Sequence, residues 1–224
     1  MIKLVIFDLD DTLISEAEYV KSGYKVVSKF IEEKYKLNSE EVFEKLLIYF
    51  NDKIKNTFNK LLDDYQIIYT DDEIKELVNI YRNHKPNISF YKDVIPFVNQ
   101  LKTKKIYTGI ISDGYLNTQK NKIDALNAND LFDYIILTDE LGKEFWKPNP
   151  KAFEMMIKKF NLKPEEIIYI GDNPKKDFYI KKFLAIKTVR IIRENSIYKD
   201  EKYLDEIKEE ITIKNLNDLL KHIG

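Results

Sequence analysis

Five short apolar runs constrain the fold more than any other feature of the chain: Ile2 to Phe7, Ile106 to Ile111, Tyr134 to Thr138, Ile167 to Ile170 and Ile186 to Ile192. Each is too short for a typical helix, rich in β-branched residues and nearly continuous rather than alternating, as strands covered on both faces are. Helical patterns separate the later runs, among them Tyr115 to Leu126 and Lys151 to Phe160, the latter introduced by Asn149 as cap and Pro150 at the first helical position. Alternating strand and helix predicts an α/β fold with a doubly wound, Rossmann-like parallel sheet.

One stretch breaks the alternation. After the first run come charged amphipathic patterns around Ala17 to Tyr35, Glu40 to Leu62 and Asp71 to Asn83, with Asn38–Glu41 and Thr70–Glu73 as cap-like starts. They predict an inserted α-helical cap domain over residues 14–88, leaving an α/β core of residues 1–13 and 89–224. An insert leaving the carboxyl end of the first strand is placed to act as a lid, because open α/β sheets bind ligands at that end. The charged mixture Lys199 to Glu210 reads as a solvated helix.

Composition narrows the chemistry. Hydrophobic residues make up 44% and charged residues 33%, which argues against disorder. Lys+Arg 37 against Asp+Glu 38 leaves no one-signed field, so neither nucleic acid nor an acidic membrane is an expected partner. Without cysteine there is no disulfide, thiolate nucleophile or cysteine-held zinc, and with two histidines a metal must be held mainly by oxygen. No signal peptide or span of about 20 apolar residues is evident, so the cytoplasm is the expected location. The three arginines, Arg82, Arg190 and Arg193, receive no function.

The strongest chemical signal is Leu4-Val5-Ile6-Phe7-Asp8-Leu9-Asp10-Asp11-Thr12, a buried strand ending in carboxylates. Neighbouring carboxylates repel, so one is protonated or a cation lies between them. A turn in which Asp10, Asp11 and Thr12 merely cap the strand is the plain alternative. Three further strand or loop ends bear on the choice. Ser112-Asp113-Gly114 offers a hydroxyl and main-chain N–H groups, Gly171-Asp172 through Asp177 adds two acids, and Trp146-Lys147-Pro148 fixes a lysine in a stiff loop.

Together these motifs resemble the haloacid dehalogenase (HAD)-like hydrolase superfamily, in its phosphatase branch with a C1-type helical cap. Asp8, Asp10 and Thr12 match its first motif, Ser112 the second, Lys147 the third, and Gly171, Asp172 and Asp177 the fourth, in order. Asp113 departs from the pattern, since many relatives with this cap carry Asn there.

The resemblance implies a Mg²⁺-dependent phosphohydrolase acting on a small phosphorylated metabolite. Asp8 would be nucleophile and metal ligand, forming an aspartyl-phosphate. Asp10 would be acid and base and lend its main-chain carbonyl to the metal, with Asp172 a further ligand. Ser112 and Lys147 would steady the phosphoryl oxygens, and Asp177 would position Lys147 or a water. Thr12 would stiffen the loop, and Asp113 and Gly114 would be supporting residues of the site, the charge of Asp113 being either neutralised by a neighbour or turned away. The rivals are a phosphosugar mutase, for which Arg82 alone is a thin second phosphate clamp, a dehalogenase, against which Asp10 counts, and a catalytically silent phosphate-binding module. A receiver domain would lack the insert.

Overall fold

The computed structural model describes residues 1–194 and 196–223. In chain order the elements are β1 (Leu4–Phe7), α1 (Glu16–Tyr35), α2 (Ser39–Asn51), α3 (Thr57–Asp64), α4 (Asp71–Asn83), α5 (Val94–Thr103), β2 (Tyr107–Ser112), α6 (Leu116–Ala125), α7 (Ala128–Leu131), β3 (Tyr134–Leu137), α8 (Lys151–Phe160), β4 (Ile167–Gly171), β5 (Lys187–Ile191) and β6 (Ile211–Ile213). The six strands form one parallel sheet in the order β3-β2-β1-β4-β5-β6. The chain winds outward from β1 to β2 and β3, then returns to β4 and winds the other way. The β1/β4 boundary is therefore the switch point at which such sheets bind ligands.

Side-chain alternation along β1 builds the layers. Val5 and Phe7 join a cluster with Phe97 and Leu101 of α5 and Ile123 of α6. Leu4 and Ile6 face the opposite way and pack with Ala152, Phe153 and Met156 of α8. Both faces are covered by helices, which is why these strands read as continuous apolar runs.

The chain divides into two compact units, Met1–Glu16 with Ile88–Gly224 and Ala17–Asn87. The second has its own core, including Val27 and Ile31 of α1, Leu46 of α2, Leu61 of α3 and Leu77 of α4. Asn38 Oδ1 accepts from the amides of Glu40 and Glu41, and Thr70 and Glu73 form a reciprocal capping box. No helix among the described residues is long and apolar enough to cross a membrane.

Four local expectations need correction. The pattern from Glu40 to Leu62 is two helices, α2 and α3, because Lys53 and Asn56 adopt left-handed conformations between them. Lys199 to Glu210 is not a helix but a loop with one 3-10 turn at Leu204–Glu206, in which Asp205 and Glu206 have positive φ. Ile211–Ile213 is an unanticipated edge strand, too short for alternation to register. Helix α8 begins at Lys151, one residue after Pro150, although Asn149 Oδ1 does accept from the Lys151 amide as a cap would.

Candidate active site at the carboxyl end of the sheet

The registers of the central strands bring the separated motifs together. Phe7 is level with Ile110 on β2 and Ile170 on β4, so Asp8, the next residue, lies beside the ends of both. Its amide donates to Ile170 O at 2.8 Å, continuing the ladder past the strand. Beyond Asp8 the chain turns. Asp10 makes an isolated bridge to Ile14, and Asp11 takes a left-handed conformation, φ 50°.

Buried side chains hold this turn. Asp11 accepts from the amides of Glu16 and Ile197, both at 2.9 Å, through its two oxygens. Arg193 donates twice to Thr12 O, at 2.8 and 3.1 Å, and once to Asp93 Oδ2 at 2.8 Å. Thr12 is thus anchored through its carbonyl, while its buried hydroxyl has no hydrogen-bond partner among the described residues. Arg193, without an expected role, is a cross-tie between the β1 loop and the start of α5.

Asp8, Lys147, Tyr169 and Asp177 form one buried network. Lys147 Nζ lies 2.6 Å from Asp8 Oδ1, 3.0 Å from Asp177 Oδ1 and 2.7 Å from the Tyr169 hydroxyl, which donates to Asp177 Oδ1 at 2.8 Å. Asp177 Oδ2 takes the Asn173 amide at 2.8 Å. Asp177 thus contacts Lys147 both directly and through Tyr169, a residue invisible to motif reading. Gly171 is required by close approach: a Cβ there would fall 2.5 Å from Asp177 Oδ2.

A buried ammonium costs free energy unless opposed charges surround it. Burial alone would lower the Lys147 pKa, but Asp177 and Asp8 more than offset that and raise it, so it stays cationic. Burial also lifts Asp8 from 3.8 to about 6 despite Lys147 and Lys176, and with Asp177 and Asp8 it lifts Asp172 well above its ordinary value.

Asp8, Asp172 and Asp177 each present a ligand oxygen, all within 4.8 Å of one another. Three buried carboxylate oxygens this close together suit a hard divalent cation, which would supply positive charge among them. Asp172 is further oriented by the Ser196 hydroxyl at 3.1 Å. The side chain of Asp10 is not in this trio.

The carboxylate of Asp10 turns instead to α6. Lys122 Nζ lies 2.7 and 2.9 Å from its two oxygens, and Gln119 Nε2 is 2.9 Å from Oδ2. Burial would raise the Asp10 pKa, but the Lys122 charge and these hydrogen bonds bring it below its ordinary value.

Ser112 closes β2, and its Oγ accepts from Gln119 Nε2 at 2.6 Å. Gly114 follows with φ 133°, a conformation that disfavours a side chain. Of the main-chain N–H groups at the start of α6, that of Leu116 is already taken, by Asp139 Oδ2 at 2.9 Å. Asp113, the departure from the family pattern, is neutralised. Lys176 Nζ lies 3.1 Å from its Oδ2, and Oδ1 accepts from Thr138 and the Lys147 amide. Burial would raise the Asp113 pKa, but Lys147 and Lys176 pull it below the ordinary value.

A parallel sheet with buried acids, a lysine and a hydroxyl at its switch point defines an enzyme-like carboxylate centre on a Rossmann-like fold. The haloacid dehalogenase-like hydrolase family model matches residues 5–191, and the chain belongs to that family. It is 30% identical over 226 residues to a glyceraldehyde 3-phosphate phosphatase of Methanocaldococcus jannaschii, covering 98% of this chain and 96% of that protein. A protein of the same description from Pyrococcus furiosus is 31% identical over 195 residues, covering 84% and 80%. Among solved structures, a putative beta-phosphoglucomutase from Thermotoga maritima superposes with a TM-score of 0.70 at 18% identity, covering both chains fully, which speaks to the fold.

Proposed function

We propose that the chain hydrolyses a small phosphate monoester through an aspartyl-phosphate on Asp8, with Mg²⁺ as cofactor. That it is a phosphatase rests on its family and on the relatives named above. The observation carrying the mechanism is the Asp8 carboxylate, buried at the end of the central strand and 2.6 Å from the buried Lys147 ammonium. Side chains of Asp8 and Asp172, with the Asp10 carbonyl, would hold Mg²⁺, and Asp177 stands close enough to join or back them. When bound, the ion supplies the positive charge that lets a carboxylate approach a phosphate dianion.

Asp8 attacks phosphorus as the bond to the leaving oxygen breaks, dividing one hard displacement into two easier ones. Lys147 and the Ser112 hydroxyl offset charge on the transferring oxygens. Asp10 protonates the leaving alkoxide and then takes a proton from the water that hydrolyses the intermediate. Its ion pair with Lys122 leaves it in the ionised state from which the second step begins. A dianionic phosphate arriving beside it raises its proton affinity for the first.

Residues 14–88 were expected to be a cap, and we propose the unit 17–87 as the element that selects the substrate. It leaves the α/β unit directly after the nucleophile loop and rejoins it before β2. A triose phosphate heads the substrate candidates, because both relatives carry one in name. The test is a panel of phosphorylated metabolites and p-nitrophenyl phosphate, scored by kcat/KM with and without Mg²⁺. Magnesium-dependent phosphate release is expected; phosphate release indifferent to chelator, or none from any ester, would overturn the proposal.

A further inference from the structure

Helix α6 turns two polar side chains inward beside Ile123, where an apolar stripe is ordinary. Gln119 is 1% exposed and Lys122 is 3% exposed. Neither belongs to any of the four motifs. Lys122 grips both oxygens of Asp10, and Gln119 Nε2 stands within hydrogen-bond distance of Asp10 Oδ2, Ser112 Oγ and Asp113 O, at 2.9, 2.6 and 2.8 Å. The orientation of that amide is fixed by its surroundings. Turned over, its oxygen would face a carboxylate and a carbonyl, neither of which can donate.

We infer that Gln119 and Lys122 are positioning residues that hold Asp10 and Ser112 for the reaction proposed above; the inference rests on that reading. A lysine buried for stability alone is a poor device, since well-packed apolar residues of similar volume serve as well or better. Here the desolvated charge meets the Asp10 carboxylate through two hydrogen bonds, which restricts the rotamer freedom of Asp10 and fixes where its oxygens stand. The same amide acts on the hydroxyl. Because the amide nitrogen of Gln119 cannot accept, the Ser112 hydroxyl proton points away from it, and among the described residues no acceptor takes that proton. It is left to donate to a phosphoryl oxygen. One helix face thereby sets the proton-transfer group and a phosphate donor in register. Displacements of about 1 Å in such groups cost on the order of 100-fold in rate, so the clamp is worth its burial.

The test uses the full chain with Mg²⁺ and p-nitrophenyl phosphate, comparing Lys122→Met, Gln119→Leu, Asp10→Asn and the Lys122→Met/Asp10→Asn double variant, with urea midpoints measured for each. The expected result is a kcat lower by on the order of 10- to 100-fold in Lys122→Met, KM within about threefold, and no further loss when it is added to Asp10→Asn. Gln119→Leu should lose about 10-fold in kcat in the same way and carries the test if Lys122→Met does not fold. A kcat within about twofold of wild type in the single variants, while Asp10→Asn is slow, would overturn the inference and leave the proposed function standing. Losses that multiply with Asp10→Asn would overturn it as well. An Asp10→Asn protein as fast as wild type would instead sink the acid–base reading itself.

Discussion

Both units carry surface ion pairs, such as Lys175 with Glu201 and Lys182 with Asp205 in the α/β unit, but they differ in where charge is buried. In residues 17–87 the ion pairs are at the surface: Lys34 with Glu73 and Glu76, Lys75 with Asp72, Lys60 with Asp64. In the α/β unit, Asp8, Lys147, Asp172 and Asp177 are all buried at the ends of neighbouring strands. Surface pairs contribute little and cost little, whereas each buried charge carries a desolvation penalty of several kcal/mol before pairing. A chain that only had to fold would keep its charges as the helical unit does. Their concentration around Asp8 is what the proposed function requires, stability exchanged for a preorganised group of charges.

The sharpest way to break that contrast is to remove the central cation. Lys147→Met should lower kcat by on the order of 100-fold or more, because the transferring oxygens lose their countercharge. It should also destabilise the metal-free protein by about 3 kcal/mol, since Asp8 and Asp177 are left facing each other. Phosphate release and urea unfolding check the two effects, and an active, equally stable variant would dissolve the distinction between the units.

The Asp113–Lys176 pair should behave as one object. Lys176→Met alone should lose about 10-fold in activity and some stability. Adding Asp113→Asn, which removes the charge left unpaired, should recover most of the stability loss. Additive losses in the double-mutant cycle would show the two charges to be independent.

A third effect appears in pH. Asp8 is raised to about 6, Glu16 to about 7 and Asp172 well above its ordinary value, each chiefly by burial. The folded state thus holds more protons than the unfolded chain between about pH 4 and 7, so the metal-free α/β unit should lose stability as pH rises through that window. Asp10 and Asp113 are lowered, so their contributions fade only below the ordinary carboxylate range. Added Mg²⁺ should reverse the trend by favouring the ionised acids; urea midpoints across pH, with and without the ion, measure it. The smallest effect belongs to the helical unit, where Thr70→Ala removes a capping box and should cost about 1 kcal/mol while leaving turnover of p-nitrophenyl phosphate unchanged.

Much of this was legible because strand ends obey simple rules. The sheet showed in the apolar runs, and Asp8, Ser112, Lys147 and Asp172 each follow or close a run or sit in a stiff loop. Residues that act from within elements were hidden. Tyr169 lies inside β4 and looks like any buried aromatic, and Lys176 sits beside a solvated Lys175. Gln119 and Lys122 left a trace, since with Ile123 they occupy one helical stripe and polar residues there are out of place. Arg193 left none, because its partners Thr12 and Asp93 are far away in the chain. The break between α2 and α3 depends on left-handed residues that a periodicity count passes over.

The central claim is that Asp8 itself carries the phosphoryl group. Acid-quenched reactions of the Asp10→Asn protein with Mg²⁺ and p-nitrophenyl phosphate, digested and read by mass spectrometry, test it directly, because slowing the hydrolytic step lets a covalent intermediate accumulate. A phosphoryl adduct on the peptide bearing Asp8, absent when Asp8→Asn is added, is the predicted result. Continued turnover by the Asp8→Asn protein with no adduct on any peptide would contradict the account.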